Sequence, residues 1–230
     1  MATPSIIQGP RPTELDPPCR KLPEQAGPGV TQKVGAGQTI VIEGDPIEHY
    51  FRILSGTVRL YKAVADGRRQ IIDFLGPEEC FGLTGLDEYA YSVEAITDVV
   101  VSRHPRERLD STIEARPDLG RQLLRLACSE LNRAQQCMLL LGRKSAEERV
   151  ASFFLDLAKR KGDPGPNREP LHLAMSRQDI ADHLGLTIET VSRIFTRFRR
   201  AGLIDLPDRQ SVIMNDVDRL SMTAEGDLIV

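Results

Sequence analysis

The sequence lacks any run of about 18 apolar residues, so it contains no candidate transmembrane helix. Its proline-rich start also lacks the basic and apolar regions of a signal peptide. There are only four cysteines, none in a Cys-x-x-Cys pair: Cys19, Cys80, Cys128 and Cys137. We therefore expect a cytosolic protein with free thiols and no contact with membranes. Neither a zinc site nor a self-contained iron–sulfur cluster is expected.

The chain also has little net charge. It combines 30 Lys and Arg with 33 Asp and Glu, a formal net charge of −3 at pH 7, which gives no general attraction to a polyanion. Binding to nucleic acid would need a local basic face, and residues 193–200 supply one: Arg193, Arg197, Arg199 and Arg200. The histidines lie in unrelated segments, and no nucleophile–base constellation or phosphate-binding loop is visible. We therefore do not expect an enzyme.

The first half of the chain contains two segments of different composition. Residues 1–28 carry seven prolines and no apolar periodicity, which predicts a flexible or extended arm. From Val34 to Val101 the sequence has short runs of strand-forming residues separated by glycine-containing turns. The clearest predicted strands are 38–43, 50–54, 57–62, 70–75, 91–95 and 99–101. Short strands with this spacing of turns predict a sandwich or jelly roll.

Residues 119–141 have a helical pattern with apolar residues at alternating intervals of three and four: Leu124, Ala127, Leu131, Ala134, Met138 and Leu141. This spacing predicts a helix that packs against a second copy. Packing against its own domain is the alternative. Gly142 is expected to end the helix, and a capping box from Ser145 to Glu148 to begin another. Residues 159–167 are predicted as a loop, because glycines and prolines crowd its second half.

The segment 175–193 predicts two short helices that meet at a tight turn. Ser176 and Asp179 can cap the first helix, Gly185 can form the turn, and Thr187 can cap the second helix. The apolar seam consists of Ile180, Ala181 and Leu184. A short strand at 171–173 and a hairpin at 203–214 flank this pair, and a short helix at 216–220 follows. The arrangement predicts a winged helix-turn-helix that binds DNA.

Together these patterns resemble the CRP/FNR family of bacterial transcription regulators over roughly residues 30–222. The β region has that family's glycines: Gly37, Gly44, Gly56, Gly67, Gly76 and Gly82. The resemblance implies an α+β fold with an N-terminal β-roll (jelly roll) of cyclic-nucleotide-binding type, a long dimerisation helix and a C-terminal winged helix-turn-helix. We expect a flexible arm at 1–28, the β-roll at 29–115, the dimerisation helix at 116–142 and the DNA-binding domain at 143–230.

The second helix of the motif resembles the FNR and FixK branch, whose Glu, Ser and Arg at these positions recognise TTGAT-type half-sites in an inverted repeat. The resemblance implies base contacts by Ile188, Glu189, Ser192 and Arg193. The chemistry fits, because an Arg guanidinium can donate twice to guanine and a Glu can accept from a base amino group. An ordinary surface pair of Glu189 with Arg193 is the alternative. Expected phosphate contacts are Ser176, Arg177, Thr187, Thr190, Thr196 and Arg197.

The sequence departs from the family's ligand-binding members. Leu83 and Thr84 follow Phe81-Gly82 where cyclic-AMP binders carry a Glu, and residues 87–92 contain no Arg and two carboxylates. No cation is available there to offset a cyclic phosphate, so we expect no cyclic nucleotide. Cys19 alone cannot replace the clustered cysteines of iron–sulfur members, and His49 is more typical of a structural or surface residue than of a haem ligand. No cofactor and no metal are therefore expected.

With the ligand-binding members excluded, the chain resembles a FixK-like regulator. This resemblance implies that it activates genes of microoxic respiration, denitrification and nitrogen fixation. Its expected partners are palindromic double-stranded DNA, a second copy of itself and RNA polymerase. Two alternatives stay open: a regulator gated by an unidentified small molecule in the β-roll, and a repressor that uses the same DNA site. A thiol switch would need Cys19 or an exposed Cys137.

Overall fold

A computed structural model describes residues 29–84, 86–161 and 170–227, and it leaves the side chains of Asp110 and Lys161 undescribed. The predicted arm at 1–28 lies outside the described residues, as does most of the predicted loop after residue 161. Within the described ranges the chain forms an N-terminal β region, a run of three helices and a C-terminal mixed domain. The α+β prediction is confirmed.

The β region contains eight strands: β1 (Val30–Val34), β2 (Thr39–Val41), β3 (His49–Ser55), β4 (Val58–Ala63), β5 (Arg69–Leu75), β6 (Cys80–Phe81), β7 (Ser92–Ala95) and β8 (Val99–Pro105). They form two four-stranded antiparallel sheets with the orders β1-β8-β3-β6 and β2-β7-β4-β5. Alternate side chains enter the core between the sheets, including the fully buried Ile53, Val58, Val93 and Val101. The prediction of a β-roll is confirmed.

Two strands were not predicted. Four of the five residues of β1 are exposed, so the strand has no apolar alternation to reveal it. Strand β6 has only two residues, which is below the length that a sequence pattern can indicate. The glycine at 56 has a clear structural reason: its φ is +87°, and a β-carbon there would lie 2.4 Å from the carbonyl oxygen of Asp98.

Three helices follow: α1 (Glu107–Ala115), α2 (Pro117–Arg143) and α3 (Ala146–Lys161). Helix α1 was not predicted. Helix α2 has 27 residues, about 40 Å at the usual rise, and it continues through Gly142. The amide of Glu148 donates to the Ser145 hydroxyl at 3.3 Å, which confirms the predicted start of α3. None of the described helices has the length and apolar composition needed to cross a bilayer.

The loop prediction was wrong for residues 159–161, which form the last turn of α3. Arg160 stabilises this turn. Its Nε donates to Asp156 one turn earlier at 2.9 Å, its Nη1 to the carbonyl oxygen of Phe74 at 2.7 Å, and its Nη2 to Asp73 at 2.8 Å. Contacts with β5, distant in sequence, therefore extend the helix as far as Lys161.

The C-terminal domain contains β9 (Leu171–His172), α4 (Arg177–Leu184), α5 (Ile188–Arg200), β10 (Ile204–Asp205), β11 (Ser211–Met214) and α6 (Val217–Glu225). The three strands form one antiparallel sheet in the order β10-β11-β9, so the predicted hairpin and winged helix-turn-helix are confirmed. Helix α6 is longer than predicted, because Leu220, Thr223 and Ala224 are buried and the helix packs along α3.

Candidate nucleic-acid interface

Local capping determines where the two helices of the motif begin and end. The amide of Asp179 donates to the Ser176 hydroxyl at 3.1 Å, and the Asp179 carboxylate accepts from the Ser176 amide at 3.0 Å, a complete capping box. Gly185 ends α4 with φ +62°, in the left-handed region. The Thr187 hydroxyl then accepts from the Thr190 amide at 3.2 Å and begins α5. Both predicted caps and the predicted turn are confirmed.

Helices α4 and α5 pack through their apolar faces. Ile180, Ala181 and Leu184 are fully buried, as predicted, and α5 buries Val191, Ile194, Phe195 and Phe198. One face of α5 is buried in the core, and the opposite face is polar and lies at the surface. This face is where a recognition helix would meet a DNA groove.

The four predicted base-contacting residues share this outer face of α5. Ile188, Glu189, Ser192 and Arg193 are all exposed, at the spacing that places residues on one side of a helix. Arg193 donates to the Thr190 hydroxyl at 3.3 Å. The ion pairs of the described residues do not include Glu189 with Arg193. The pKa of Glu189 is lowered chiefly by a hydrogen bond from its own backbone amide, so the side chain is a carboxylate at neutral pH.

Four of the predicted phosphate-contacting residues lie on α5 or at its cap, two lie at the start of α4, and most also have an intramolecular role. Ser176 and Thr187 cap helices, and Thr196 donates to the Ser192 carbonyl oxygen at 3.0 Å. The Arg177 guanidinium lies 3.5 Å from the centre of the Phe195 ring, and burial lowers its pKa to about 10. Arg197 forms an ion pair with Glu147 of α3.

Two open clefts adjoin α5. One, of about 480 Å³, lies between α5 and the N-terminus of α3, and its lining includes Ser145, Glu147, Thr190, Arg193 and Arg197. The other, of about 410 Å³, is lined by Ser192, Arg193, Thr196, Arg197 and Arg200. The structure thus brings predicted base-contacting and phosphate-contacting residues together. It adds Glu147, which sequence reasoning missed because it lies 50 residues from Arg197.

The predicted seam of α2 lies at the surface of the single chain. Leu124, Leu131 and Met138 are 66%, 60% and 72% exposed, and Leu119 is the only fully buried residue among the described side chains of the helix. Ala127 and Ala134 are exposed, and Leu141 is partly buried. Packing of this seam against its own domain is therefore not what the fold shows. An exposed apolar stripe of this length is typical of an interaction surface.

A thiol switch was expected to need Cys19 or an exposed Cys137, and Cys137 is not exposed. Cys137 lies on the inner side of α2 and is partly buried, and its burial raises the pKa of its thiol. Cys128, nine residues earlier and therefore on the opposite side, is the exposed thiol of the helix. Cys80 is buried in the β-roll.

Sequence reasoning also missed Arg149, which joins the long helix to the helix-turn-helix. Its guanidinium donates to three carbonyl oxygens: Leu141 at 2.9 Å, Lys144 at 3.0 Å and Leu184 at 2.9 Å. These carbonyls lie at the ends of α2 and α4, where helix carbonyls lack a partner. One side chain on α3 therefore fixes α4 relative to the end of α2, and no short-range sequence pattern could have revealed it.

Comparison with known proteins agrees with this architecture. Residues 148–222 match the family of Crp-like helix-turn-helix domains, and residues 31–116 match the family of cyclic nucleotide-binding domains. The chain is 45% identical over 170 residues to the nitrogen fixation regulation protein FixK of Azorhizobium caulinodans, which covers 74% of this chain and 68% of the relative. The chain belongs to the CRP/FNR family of transcription regulators.

Within the CRP/FNR family the chain is similar to more than one kind of regulator. It is 39% identical over 194 residues to the transcriptional activator protein Anr of Pseudomonas aeruginosa, covering 84% of this chain and 79% of the relative. The solved structure of FixK2 from Bradyrhizobium japonicum matches with a TM-score of 0.80 at 34% identity, covering 88% of this chain and 98% of that one. The resemblance to the FixK-like branch is confirmed.

The acidic segment after Gly82 in the β-roll of this CRP/FNR member also differs from the sequence expectation. A cation does reach the acidic segment after Gly82, because Arg106 lies 3.9 Å from Asp87 and donates to the carbonyl oxygen of Leu86. The statement that no cation is available there was therefore wrong. The amide of Gly82 donates to the Tyr91 hydroxyl at 3.2 Å, so the Phe81-Gly82 turn is engaged by the protein's own side chain.

Proposed function

We propose that the protein is a homodimeric, sequence-specific transcription activator that binds a TTGAT-type inverted repeat through α5 and needs no cyclic nucleotide or iron–sulfur cofactor. The observation that carries this proposal is the shared exposure of Glu189, Ser192 and Arg193 on one face of the second helix of the motif. These are the residue types that the FNR and FixK branch uses at these positions.

Each side chain on this face has a chemical role in the proposal. Arg193 donates two hydrogen bonds to guanine O6 and N7, which makes it the main source of sequence specificity. Glu189 accepts from a cytosine or adenine amino group, and Ser192 can donate or accept. Ile188 contacts a thymine methyl group. The surrounding hydroxyls, with Arg177 and Arg197, bind phosphates and place the helix in the groove.

Dimerisation supplies the second recognition helix. The exposed seam of α2 supports it, because Leu124, Leu131 and Met138 would be removed from water by a two-fold related copy. Small Ala127 and Ala134 between them allow two helices to approach closely. A two-fold dimer presents its recognition helices to the two halves of an inverted repeat.

The similarity to FixK and Anr supports a role in activating genes of microoxic respiration and nitrogen fixation, with RNA polymerase as partner in the cytoplasm. Two observations favour a role for the β-roll as a scaffold. The Gly82 amide and the Arg106 guanidinium are both engaged within the protein. Repression from the same DNA site differs only in operator position, and reporter assays with the operator placed upstream or across the promoter distinguish the two.

The proposal is tested by Arg193→Ala, with Arg199→Ala as the control. Both remove one exposed cation from α5, so they lower non-specific attraction alike. We expect only Arg193→Ala to cost about 1–3 kcal/mol per half-site on a TTGAT palindrome and to relax discrimination at the contacted position. Fluorescence anisotropy against specific and scrambled duplexes measures both. Equal losses in the two variants would contradict the assignment of base contacts.

The ligand-gated alternative is tested separately by native mass spectrometry and by DNA titration of the purified protein. Ligand-free protein with full affinity for the palindrome supports the proposal. A stoichiometric small molecule whose removal abolishes binding would favour the alternative.

A further inference from the structure

The hairpin formed by β4 and β5 projects from the β-roll onto α4, the first helix of the helix-turn-helix. Arg59 of β4 donates through Nη1 to Asp179 Oδ1 at 2.8 Å. Arg69 of β5 donates through Nη2 to the same oxygen at 2.7 Å and through Nε to Asp182 Oδ2 at 2.7 Å. We call this set of four side chains the hairpin clamp. It joins the two domains through charge-assisted hydrogen bonds, which are strong and directional.

Further contacts of β5 orient α4 beside the clamp. Gln70 donates to the His183 carbonyl oxygen at 3.0 Å, and the Nδ1 of His183 lies 3.1 Å from the carbonyl oxygen of Ile71. Ile71 and Phe74 are buried in the same core as α4 and α5. The hairpin therefore holds both the polar end and the apolar side of α4.

Asp179 has two separate tasks in this contact. Its Oδ2 completes the capping box with Ser176, and its Oδ1 accepts from both arginines. The Asp179 side chain is 4% exposed and that of Arg59 is 15% exposed. Such buried ion pairs contribute little net stability compared with apolar packing, but they penalise any arrangement that leaves one charge unpaired. Their main effect is therefore on orientation.

We propose that Arg59 and Arg69 are positioning residues for DNA binding, which fix the angle of the helix-turn-helix relative to the β-roll and hence the separation of the two recognition helices in the dimer. This inference rests on the proposed function. The half-sites of an inverted repeat lie one helical turn apart, roughly 34–36 Å. A dimer matches that spacing only if both DNA-binding domains keep one orientation.

The experiment compares Arg69→Ala with Arg68→Ala in the full-length protein. Arg68 is the adjacent residue, but its side chain is 81% exposed and bonds to Asp66 in its own turn, so this variant controls for the loss of one charge. Dissociation constants are measured for the palindrome with its native spacer, for palindromes with one base pair added or removed, and for a single half-site.

We expect Arg69→Ala to weaken binding to the native palindrome about tenfold, because the correctly oriented fraction of molecules falls by about that factor. Its preference for the native spacer over the altered ones should fall as well, while half-site affinity stays the same. Arg68→Ala should keep all three values. A loss of folded protein alone would lower every affinity equally and would leave the spacer preference unchanged.

Charge exchange provides a second measurement. Arg69→Asp and Asp182→Arg should each lose the spacer preference, and the double variant should recover most of it. If Arg69→Ala fails to fold, Asp182→Asn removes the charge of the partner without a change in size. Wild-type spacer preference in Asp182→Asn or Arg69→Ala would overturn the inference. Failure of the unmodified protein to bind any palindrome would instead refute the proposed function.

Discussion

Truncation of Leu131 on the exposed seam of α2 should dissociate the proposed dimer. Leu131 is 60% exposed in the single chain. Complete burial of a leucine side chain stabilises by about 1.5–3 kcal/mol, so burial of the exposed part contributes ~1–2 kcal/mol. A two-fold dimer contains two copies, which gives ~2–4 kcal/mol in total. Because Ala retains the β-carbon, Leu131→Ala should weaken the dimer by about 2–3 kcal/mol, or ~30- to ~150-fold in the dissociation constant.

The chain offers a matched control for this variant. Leu139 is also on α2 and is 56% exposed, but it lies one residue after Met138 and therefore about 100° around the helix from it. Leu139→Ala removes the same atoms from a similarly exposed position outside the seam. We expect it to leave the dimer intact.

Sedimentation equilibrium over a range of protein concentrations measures the dissociation constants of both variants. DNA titrations supply a second readout, because a weakened dimer should bind the palindrome with a steeper dependence on protein concentration. Dissociation by Leu139→Ala without an effect of Leu131→Ala would refute the assignment of the seam. Equal effects of the two variants would show that the dimer interface is not confined to the seam of α2.

Three further outcomes follow from the C-terminal domain. Glu147→Gln releases Arg197 from its ion pair, and it should raise affinity for specific and scrambled duplexes alike, by up to about fivefold, in anisotropy titrations. Gly185→Ala should lower the free energy of unfolding by about 1–2 kcal/mol, because its φ of +62° lies in the left-handed region. Steric clash adds nothing to this cost, because an added β-carbon would lie 3.5 and 3.6 Å from its nearest neighbours. Urea denaturation measures the change. Burial lowers the pKa of His183 in the folded protein, so the imidazole of the unfolded chain is protonated at a higher pH than that of the folded protein. The free energy of unfolding should therefore fall as the pH drops below about 6.5. His183→Gln should make the melting temperature depend less on pH in this range, and an unchanged pH dependence would contradict the argument.

The local part of the motif could be predicted because its signals are short-range. Capping by Ser176 and Thr187 and the left-handed turn at Gly185 depend on residues three or four positions apart. The exposed face of α5 follows from helical periodicity once its buried face is identified. The same reasoning predicted the seam of α2, although its role in dimerisation stays a prediction, as do the DNA contacts and the division of the chain at 28, 115 and 142.

The parts that sequence reasoning missed depend on residues far apart in the chain. Arg160 extends α3 through contacts with β5, 86 and 87 residues away. Arg149 reaches α4, Glu147 reaches α5, and Arg106 reaches the loop at Asp87. No pattern of spacing or composition distinguishes these charged side chains from solvated ones. Only the folded arrangement brings each of them to its partner.

Strand β5 contributes to the cores of both domains, which limits how independently the two domains can fold or be exchanged. Its Leu75 belongs to the core of the β-roll, whereas Ile71 and Phe74 belong to the core of the DNA-binding domain. A C-terminal fragment cut from the chain at α3 would therefore expose apolar surface that β5 normally covers. A chimera that took its β-roll from a relative would have to import a β5 that fits the α4 of this chain. Exchange of whole β-rolls between such regulators is thus restricted by how β4 and β5 fit α4.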